Sequence, residues 1–437
     1  MRQWMRSGFG LCIAAAAAQA MSFQPLGFES MGMGGAGVAS ATGSMAAYYN
    51  PALLSVNGHK TEVGLSGGVG VAEYNLAENL DRLSNDDLTG TVERIANNAP
   101  FNGTNTANGD SARMQDALSV LKSMAGGTSG LVLTPGGAFG VQVKNFGIGV
   151  YVSSEATAVP VIDPNHLDMI VLGTYNGQDY YAYYDPATDT YTQSDQATYE
   201  SSSLEYALNN NLTYLSLKGL SVGEVPFSYG HAFETSAGTI GVGGSLKYMY
   251  GLTYDTRVSI DTQSGDLDGA FKDRDRSTSA FGVDLGAYYT PKAEPNLRFG
   301  IVGKNLNAPE FDTVTNRVYK VDPMVRAGVY YAGLDHWLDF ALDVDLTANK
   351  TFLDDIDSQY IGGGINIHPN QFFSLRLGAM QNVADDTFGT VLTAGLGLGF
   401  KQLQFDISGM MSTETGYYDG NDIPRYARVN FALVSRW

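Results

Sequence analysis

From about residue 61 onward, apolar and polar residues alternate with a period of two, the signature of strands that present different solvents to their two faces. In WLDFALDVDLT, Leu338, Phe340, Leu342, Val344 and Leu346 share one face, while Asp339, Ala341, Asp343, Asp345 and Thr347 share the other. GTIGVGGSLKYMYGLTYDTR divides in the same way, with Ile240, Val242, Leu246, Tyr248, Tyr250 and Leu252 opposite Ser245, Lys247, Thr253, Asp255 and Arg257. The pattern predicts about fourteen strands, at 61–74, 130–144, 147–158, 221–234, 238–257, 276–290, 297–304, 323–332, 337–349, 358–368, 371–383, 389–400, 403–413 and 426–437. Connections after the even-numbered strands are tight. Those after the odd-numbered ones are mostly longer, and two are very long, at about 75–129 and 159–220.

A secreted β-sandwich or solenoid also alternates. Short turns on one side, long loops on the other, an even strand count and both termini on the short-turn side are instead the marks of an outer-membrane barrel. The fold class predicted is therefore all-β: a transmembrane outer-membrane β-barrel of about 14 antiparallel strands, with an N-terminal hatch or plug and short helices in extracellular loops. The short turns and both termini are then periplasmic. The last strand agrees, because Val429, Phe431, Leu433 and terminal Trp437 alternate with Asn430, Ala432, Val434 and Arg436. Such an ending resembles the C-terminal insertion signal read by the outer-membrane barrel assembly machinery, with Ser435 a departure from the apolar residue preferred there. Tyrosines near strand ends, among them Tyr289, Tyr330 and Tyr331, fit interfacial girdles. In the first long insertion, Leu80, Leu83, Leu88, Val92, Ile95, Met114, Leu118 and Leu121 recur at helical spacing, predicting short amphipathic helices over the outer rim. The second, rich in tyrosine and aspartate, reads as a hairpin or mobile loop.

The N-terminus changes the picture in one respect. Arg2 and Arg6 precede an apolar run from Gly8 to Ala18, and Ala18-Gln19-Ala20 offers a small-x-small cleavage site. Residues 1–20 read as a signal peptide, 21–56 as the hatch and 57–437 as the barrel. The only cysteine, Cys12, falls in the signal peptide, so disulfides, thiolate metal sites and cysteine catalysis are not expected of the mature chain. The formal charge of −19 becomes about −21 once Arg2 and Arg6 are removed, which argues against nucleic-acid binding through a basic surface. The expected surroundings are outer-membrane lipids and lipopolysaccharide.

Gly32, Gly34 and Gly37 stand in G-x-G-x-x-G order, but no strand precedes them to form a dinucleotide fold. A barrel of this size encloses more space than its wall side chains fill. The small residues from Met31 to Ala52 suit a plug packed against wall glycines such as Gly282, Gly286, Gly395, Gly397 and Gly399. Gly32, Gly34, Gly35, Gly37, Tyr48, Tyr49, Asn50, Pro51 and Ala52 are the candidates for gating or ligand contact, with simple packing against the wall the alternative. Lys247, Asp284, Arg326, Asp339, Asp343, Asp345, Arg376, Asp406, Arg428 and Arg436 are assigned to the lumen, where charges of both signs pair. The five histidines, His59, His166, His231, His336 and His368, lack metal-ligand spacing, and no metal, cofactor or catalytic set is expected. Asp261, Asp266, Asp268, Asp273 and Asp275 lack the order of a calcium loop, as do Asp354, Asp355 and Asp357. They read as solvated loops, with divalent-ion bridging to lipopolysaccharide as the alternative.

Gly-Met-Gly-Gly-Ala-Gly at 32–37, a small-residue segment and Asn50-Pro51-Ala52 resemble the hatch of FadL-like hydrophobic-compound transporters. Within that superfamily the chain is most similar to TraF-type conjugal-transfer outer-membrane proteins, through SVGEVPFSYGHAF, GGSLKYM, LDFALDVDLT and LRLGAM as well. The resemblance implies a plugged, non-enzymatic barrel acting in plasmid transfer or envelope assembly, with envelope or conjugation proteins as partners. The alternative is a passive channel for hydrophobic small molecules gated by the hatch. An apolar cavity beside the hatch would favour transport, and a filled polar lumen a docking role.

Overall fold

The computed structural model describes residues 23–56, 61–102, 109–126, 128–259, 275–333, 337–353, 356–370, 372–400 and 402–437. The expected signal peptide, His59, His336 and the acidic residues Asp261, Asp266, Asp268, Asp273, Asp354 and Asp355 lie outside them.

Fourteen antiparallel strands form the wall. They are β1 (Thr61–Tyr74), β2 (Gly130–Leu133 continued by Gly136–Val143), β3 (Phe146–Val161), β4 (Tyr214–Glu234), β5 (Gly238–Val258), β6 (Asp275–Pro291) and β7 (Leu297–Lys304). Then follow β8 (Met324–Gly333), β9 (Leu338–Asp345), β10 (Tyr360–Asn370), β11 (Phe373–Asn382), β12 (Thr390–Phe400), β13 (Leu403–Ser412) and β14 (Tyr426–Arg436). Each strand pairs with its neighbours in chain order, and β1 pairs with β14 from Glu62↔Arg436 to Ala72↔Tyr426, which closes the sheet. Pro135 interrupts β2 because it has no N–H, yet Thr134 still exchanges both backbone bonds with Gly70, so the β1–β2 register runs on unshifted. Closure gives backbone donors and acceptors partners within the sheet, the condition for strands to cross hydrocarbon. No described helix is long and apolar enough to cross a membrane.

The alternation sorts the two faces of the wall. Leu246, Phe281, Leu342, Leu392 and Phe431 point outward and are exposed, whereas Lys247, Asp284, Asp343, Thr393 and Asn430 point inward and are buried. Tyr330 departs from the girdle expected of it: it shares the inward phase of Arg326 and Gly328, and its hydroxyl donates to Asp339 at 3.0 Å.

The two long insertions fold together at the long-loop end. The first contributes helices Leu76–Asn85, Leu88–Ala96 and Asp110–Gly126. The second is neither a single hairpin nor a loop but a three-stranded sheet (Ile170–Tyr175, Gln178–Asp185, Thr190–Gln193) followed by helices Gln196–Ser202 and Leu204–Asn209. Asp195 and Ser203 start those helices by accepting from the N–H groups of Thr198 and Tyr206. One apolar cluster unites both insertions, joining Leu83, Val92, Ile95, Met114 and Leu121 to Met169, Val171, Tyr184 and Leu204. The helices of the first insertion cannot bury their apolar faces alone, and the sheet covers them.

Candidate functional site

The lumen is filled from both ends. Residues 23–55 run inside the barrel as short turns: a helix at Glu29–Gly32, a 3-10 turn at Gly43–Met45, a helix at Ala46–Tyr49 and a 3-10 turn at Pro51–Ser55. Asn50 starts the last turn, its side chain accepting from Ala52 N–H with Pro51 at the first position. The segment buries Phe23, Leu26, Phe28, Tyr49, Leu53 and Leu54, and polar wall side chains hold its backbone as well. Asp343 accepts from the N–H groups of Gly37 and Val38 at 2.7 and 2.9 Å. Glu62 accepts from Ser44 N–H and Oγ, both at 2.8 Å. Thr393 accepts from Gly34 N–H and donates to Gly32 O, and Asn430 donates to Gly27 O. Asn50 Nδ2 donates to Val38 O at 2.9 Å and to Ala287 O at 3.1 Å, tying the segment to itself and to β6.

Close approach to the wall is what the glycines permit. Gly34 has φ +66, and a Cβ there would run into the backbone of Ala379 and Gly363. Gly32 lies against Gly395, and Gly286 leaves room for Asn50 and Pro51. The wall glycines that meet the segment are only partly those expected: Gly282 and Gly397 face wall side chains, while Gly243, Gly300, Gly362 and Gly378 lie against the segment. Its aromatic rings are covered by wall cations. Lys304 Nζ lies 3.6 Å from the Tyr48 ring centre and donates to Tyr48 O at 2.9 Å, and the Arg326 guanidinium lies 4.1 Å from the Phe23 ring centre.

Most of the assigned lumen charges pair. Lys247 sits 3.0 Å from Asp284 and 3.2 Å from Glu224. Arg326 binds Asp345 through two nitrogens, at 2.5 and 3.0 Å, and Arg376 meets Asp406 at 2.5 Å. Asp339 meets His368 at 2.6 Å. Arg436 lies at the short-turn mouth, half exposed, 2.7 Å from Glu62 and 3.5 Å from Glu29. Among the described residues Asp343 has no charged partner, only backbone N–H donors, and Arg428 stands apart as well. Arg428 is buried, its Nη1 reaches Thr134 at 3.2 Å, and its Nε and Nη2 have no partner among the described residues. Phe431, Leu433 and Trp437, the expected insertion signal, lie on the outward face, with Phe431 and Trp437 exposed.

Arg428 lines a cavity of about 70 Å³ on the long-loop side of the N-terminal segment. Phe23, Pro25, Gly34 and Gly35 form its floor, and Ala72, Tyr74, Val132, Met380 and Tyr426 its walls. Leu353, Ile356 and Phe388 bend in from the β9–β10 and β11–β12 loops to roof it. Glu155 and Asp343 also border it: Glu155 accepts from Phe352 N–H and Asp343 Oδ2 from Gly37 and Val38 N–H, while Asp343 Oδ1 has no partner among the described residues. The roofing residues and Phe23 were not among the sequence candidates. Their only trace in the sequence is apolar side chains in segments otherwise read as solvated loops, such as Phe352, Leu353 and Ile356 beside aspartates.

Residues 47–345 match the family described as F plasmid transfer operon, TraF, protein. The chain belongs to this family. No curated protein matches the TraF-family chain. Solved structures similar to it include the toluene transporter TbuX of Ralstonia pickettii, at 15% identity, TM-score 0.49, and coverage of 95% of this chain and 99% of that one. The toluene transporter TodX of P. putida follows at 12% identity, TM-score 0.45 and the same coverage. A FadL homologue of Pseudomonas aeruginosa aligns at 10% identity and TM-score 0.45, over 94% of this chain and 99% of that one.

Proposed function

We propose that this TraF-family barrel is a non-enzymatic outer-membrane channel for small, largely apolar molecules that carry an acidic head, with its short-turn end periplasmic and residues 21–56 as its hatch. The observation that carries the reading is the cavity beside the hatch, apolar on most sides and edged by the unpaired guanidinium of Arg428. A buried guanidinium without a carboxylate is costly, and a carboxylate ligand would satisfy its Nε and Nη2 as a two-toothed pair. The cavity of about 70 Å³ is about half of the roughly 150 Å³ that accommodates benzene in an engineered protein core. Cargo therefore enters only when the residues around the cavity move.

The test is uptake of a labelled fatty acid by cells that lack their own transporter and express this barrel, with heat-modifiable gel migration confirming folding. Uptake that falls about tenfold in Arg428→Gln, the loss expected for one charge-assisted pair, supports the reading. A folded wild-type barrel that gives no uptake overturns it. The second reading, docking in plasmid transfer or envelope assembly, is favoured by the family match and by the charge-paired remainder of the lumen. It predicts lower plasmid-transfer frequency on deletion of the protein, with Arg428→Gln behaving as wild type.

A further inference from the structure

A second, polar cavity of about 320 Å³ opens at the short-turn mouth, on the other side of the N-terminal segment from the first. Glu29 of that segment borders it, together with Glu62, Asp339, Asn366, Gln142 and Arg436 of the wall. Its hydrogen-bonding groups are out of balance. The charged and phenolic donors are already directed at acceptors: Arg436 gives Nε to Glu62 and Nη1 to Gln404 and brings Nη2 to 3.5 Å from Glu29, and Tyr330 gives its hydroxyl to Asp339. Gln142 Nε2 is fixed by two carbonyls, Leu54 O at 2.9 Å and Lys144 O at 2.7 Å, which turns its oxygen away from them. Gln142 Oε1 and Asn366 Oδ1 have no partner among the described residues, although Gln142 is only 1% and Asn366 only 7% exposed. Three carboxylates stand against one guanidinium in the ring, with His368 already engaged by Asp339.

A buried acceptor without a donor costs about 1–3 kcal/mol, and a ligand that has donors and no acceptors removes that cost. Anions and neutral acceptors would add to the imbalance. We propose that the mouth cavity binds one organic cation, an alkylammonium or guanidinium group, presented as a free small molecule or as the side chain of a basic peptide. The volume accommodates a lysine or arginine side chain with water around it. Such a ligand would bridge Glu29 on the N-terminal segment to Asp339 and Asn366 on the wall, so its occupancy is felt by the segment that fills the lumen. The site is independent of whether the barrel conducts.

The experiment is calorimetric titration of the full-length barrel in detergent with ethylguanidinium, with an acetylated Ala-Ala-Arg-Ala-Ala amide and with neutral N-ethylurea. Saturable one-to-one binding of the cations and none of the urea is expected, weakened about tenfold or more in Glu29→Gln and in Asp339→Asn. Heat-modifiable migration checks the folding of each variant, and Glu29→Gln, on the segment and outside the wall, gives the reading if Asp339→Asn fails to fold. Peptide binding about tenfold tighter than ethylguanidinium assigns the site to a protein partner, and equal affinities assign it to a small cation. Equal binding of the urea, indifference to both variants, or no saturable binding below about 10 mM, where the binding free energy is under about 3 kcal/mol, overturns the proposal.

Discussion

Asn50 shows how much one side chain carries at the residue scale. It is fully buried, and its amide spends both ends on backbone, donating to Val38 and Ala287 and accepting from Ala52. Asn50→Ala leaves these groups unpaired, at about 1–3 kcal/mol each before water enters. Faster hydrogen exchange across residues 38–52 in a barrel that still migrates as folded is the expected outcome, and unchanged exchange would show that packing alone holds the segment. Gly34→Ala acts differently, through a methyl group placed against wall backbone at φ +66. It should displace the turn at 34–35, read as larger single-channel conductance in planar bilayers than wild type. Conductance equal to wild type would count against a close-packed turn as the seal.

At the scale of elements, the folded insertion over the long-loop end carries a titratable strut. Glu205 lies in the first turn of helix Leu204–Asn209 and accepts from Leu172 N–H at 2.8 Å, linking that helix to the sheet. Burial pushes its carboxyl up to about 7 from the ordinary 4.5, the bond from Leu172 opposing the shift only in part. A carboxyl raised in the folded state binds more protons folded than unfolded. Its contribution is therefore fully present below pH 4.5 and is lost as pH rises through about 7. The insertion should resist proteolysis better at pH 5 than at pH 8, by about 1–2 kcal/mol of local stability after screening by water. Glu205→Gln should flatten that dependence, and a slope that survives the substitution would assign it to other groups. The buried pair Arg326–Asp345 gives a contrast: Asp345→Asn removes the charge partner of a guanidinium that is 5% exposed, at about 3–5 kcal/mol, seen as a lower melting temperature of the folded barrel.

For the molecule as a whole, closure is the step that turns fourteen strands into a wall. The seam between β1 and β14 is extended by Trp437, whose N–H and carbonyl both pair with Thr61 at 3.0 Å while its ring lies exposed on the outer surface. Deleting Trp437 removes two seam bonds and an interfacial anchor together. A lower fraction of heat-modifiable barrel in the membrane is expected, and a yield equal to wild type would show that Phe431 and Leu433 suffice. Most of the wall was legible in the sequence. β1 and β7 occupy the residues that alternation predicts, and Lys247, Arg326, Asp343 and Arg376 are buried.

Alternation suffices for the wall because a strand has only two faces. Once outward residues are apolar, the phase of every side chain in that strand is set by local sequence. The glycines and small residues of 31–52 likewise let that segment pack closely against wall backbone. What only the tertiary structure decided is everything that depends on segments distant in sequence meeting in the lumen. Tyr330 shares the phase of Arg326, so local alternation already sets it inward against the interfacial preference of tyrosine, and what the fold adds is its partner on the neighbouring strand, Asp339. Arg428 reads like any other lumen arginine. It becomes distinctive only because Asp345 and Asp406 are taken by Arg326 and Arg376, while Leu353, Ile356 and Phe388 fold inward from loops to enclose the space in front of it. Periodicity reports which side of a wall a residue faces, and the identity of its neighbours across the lumen comes from closure of the barrel.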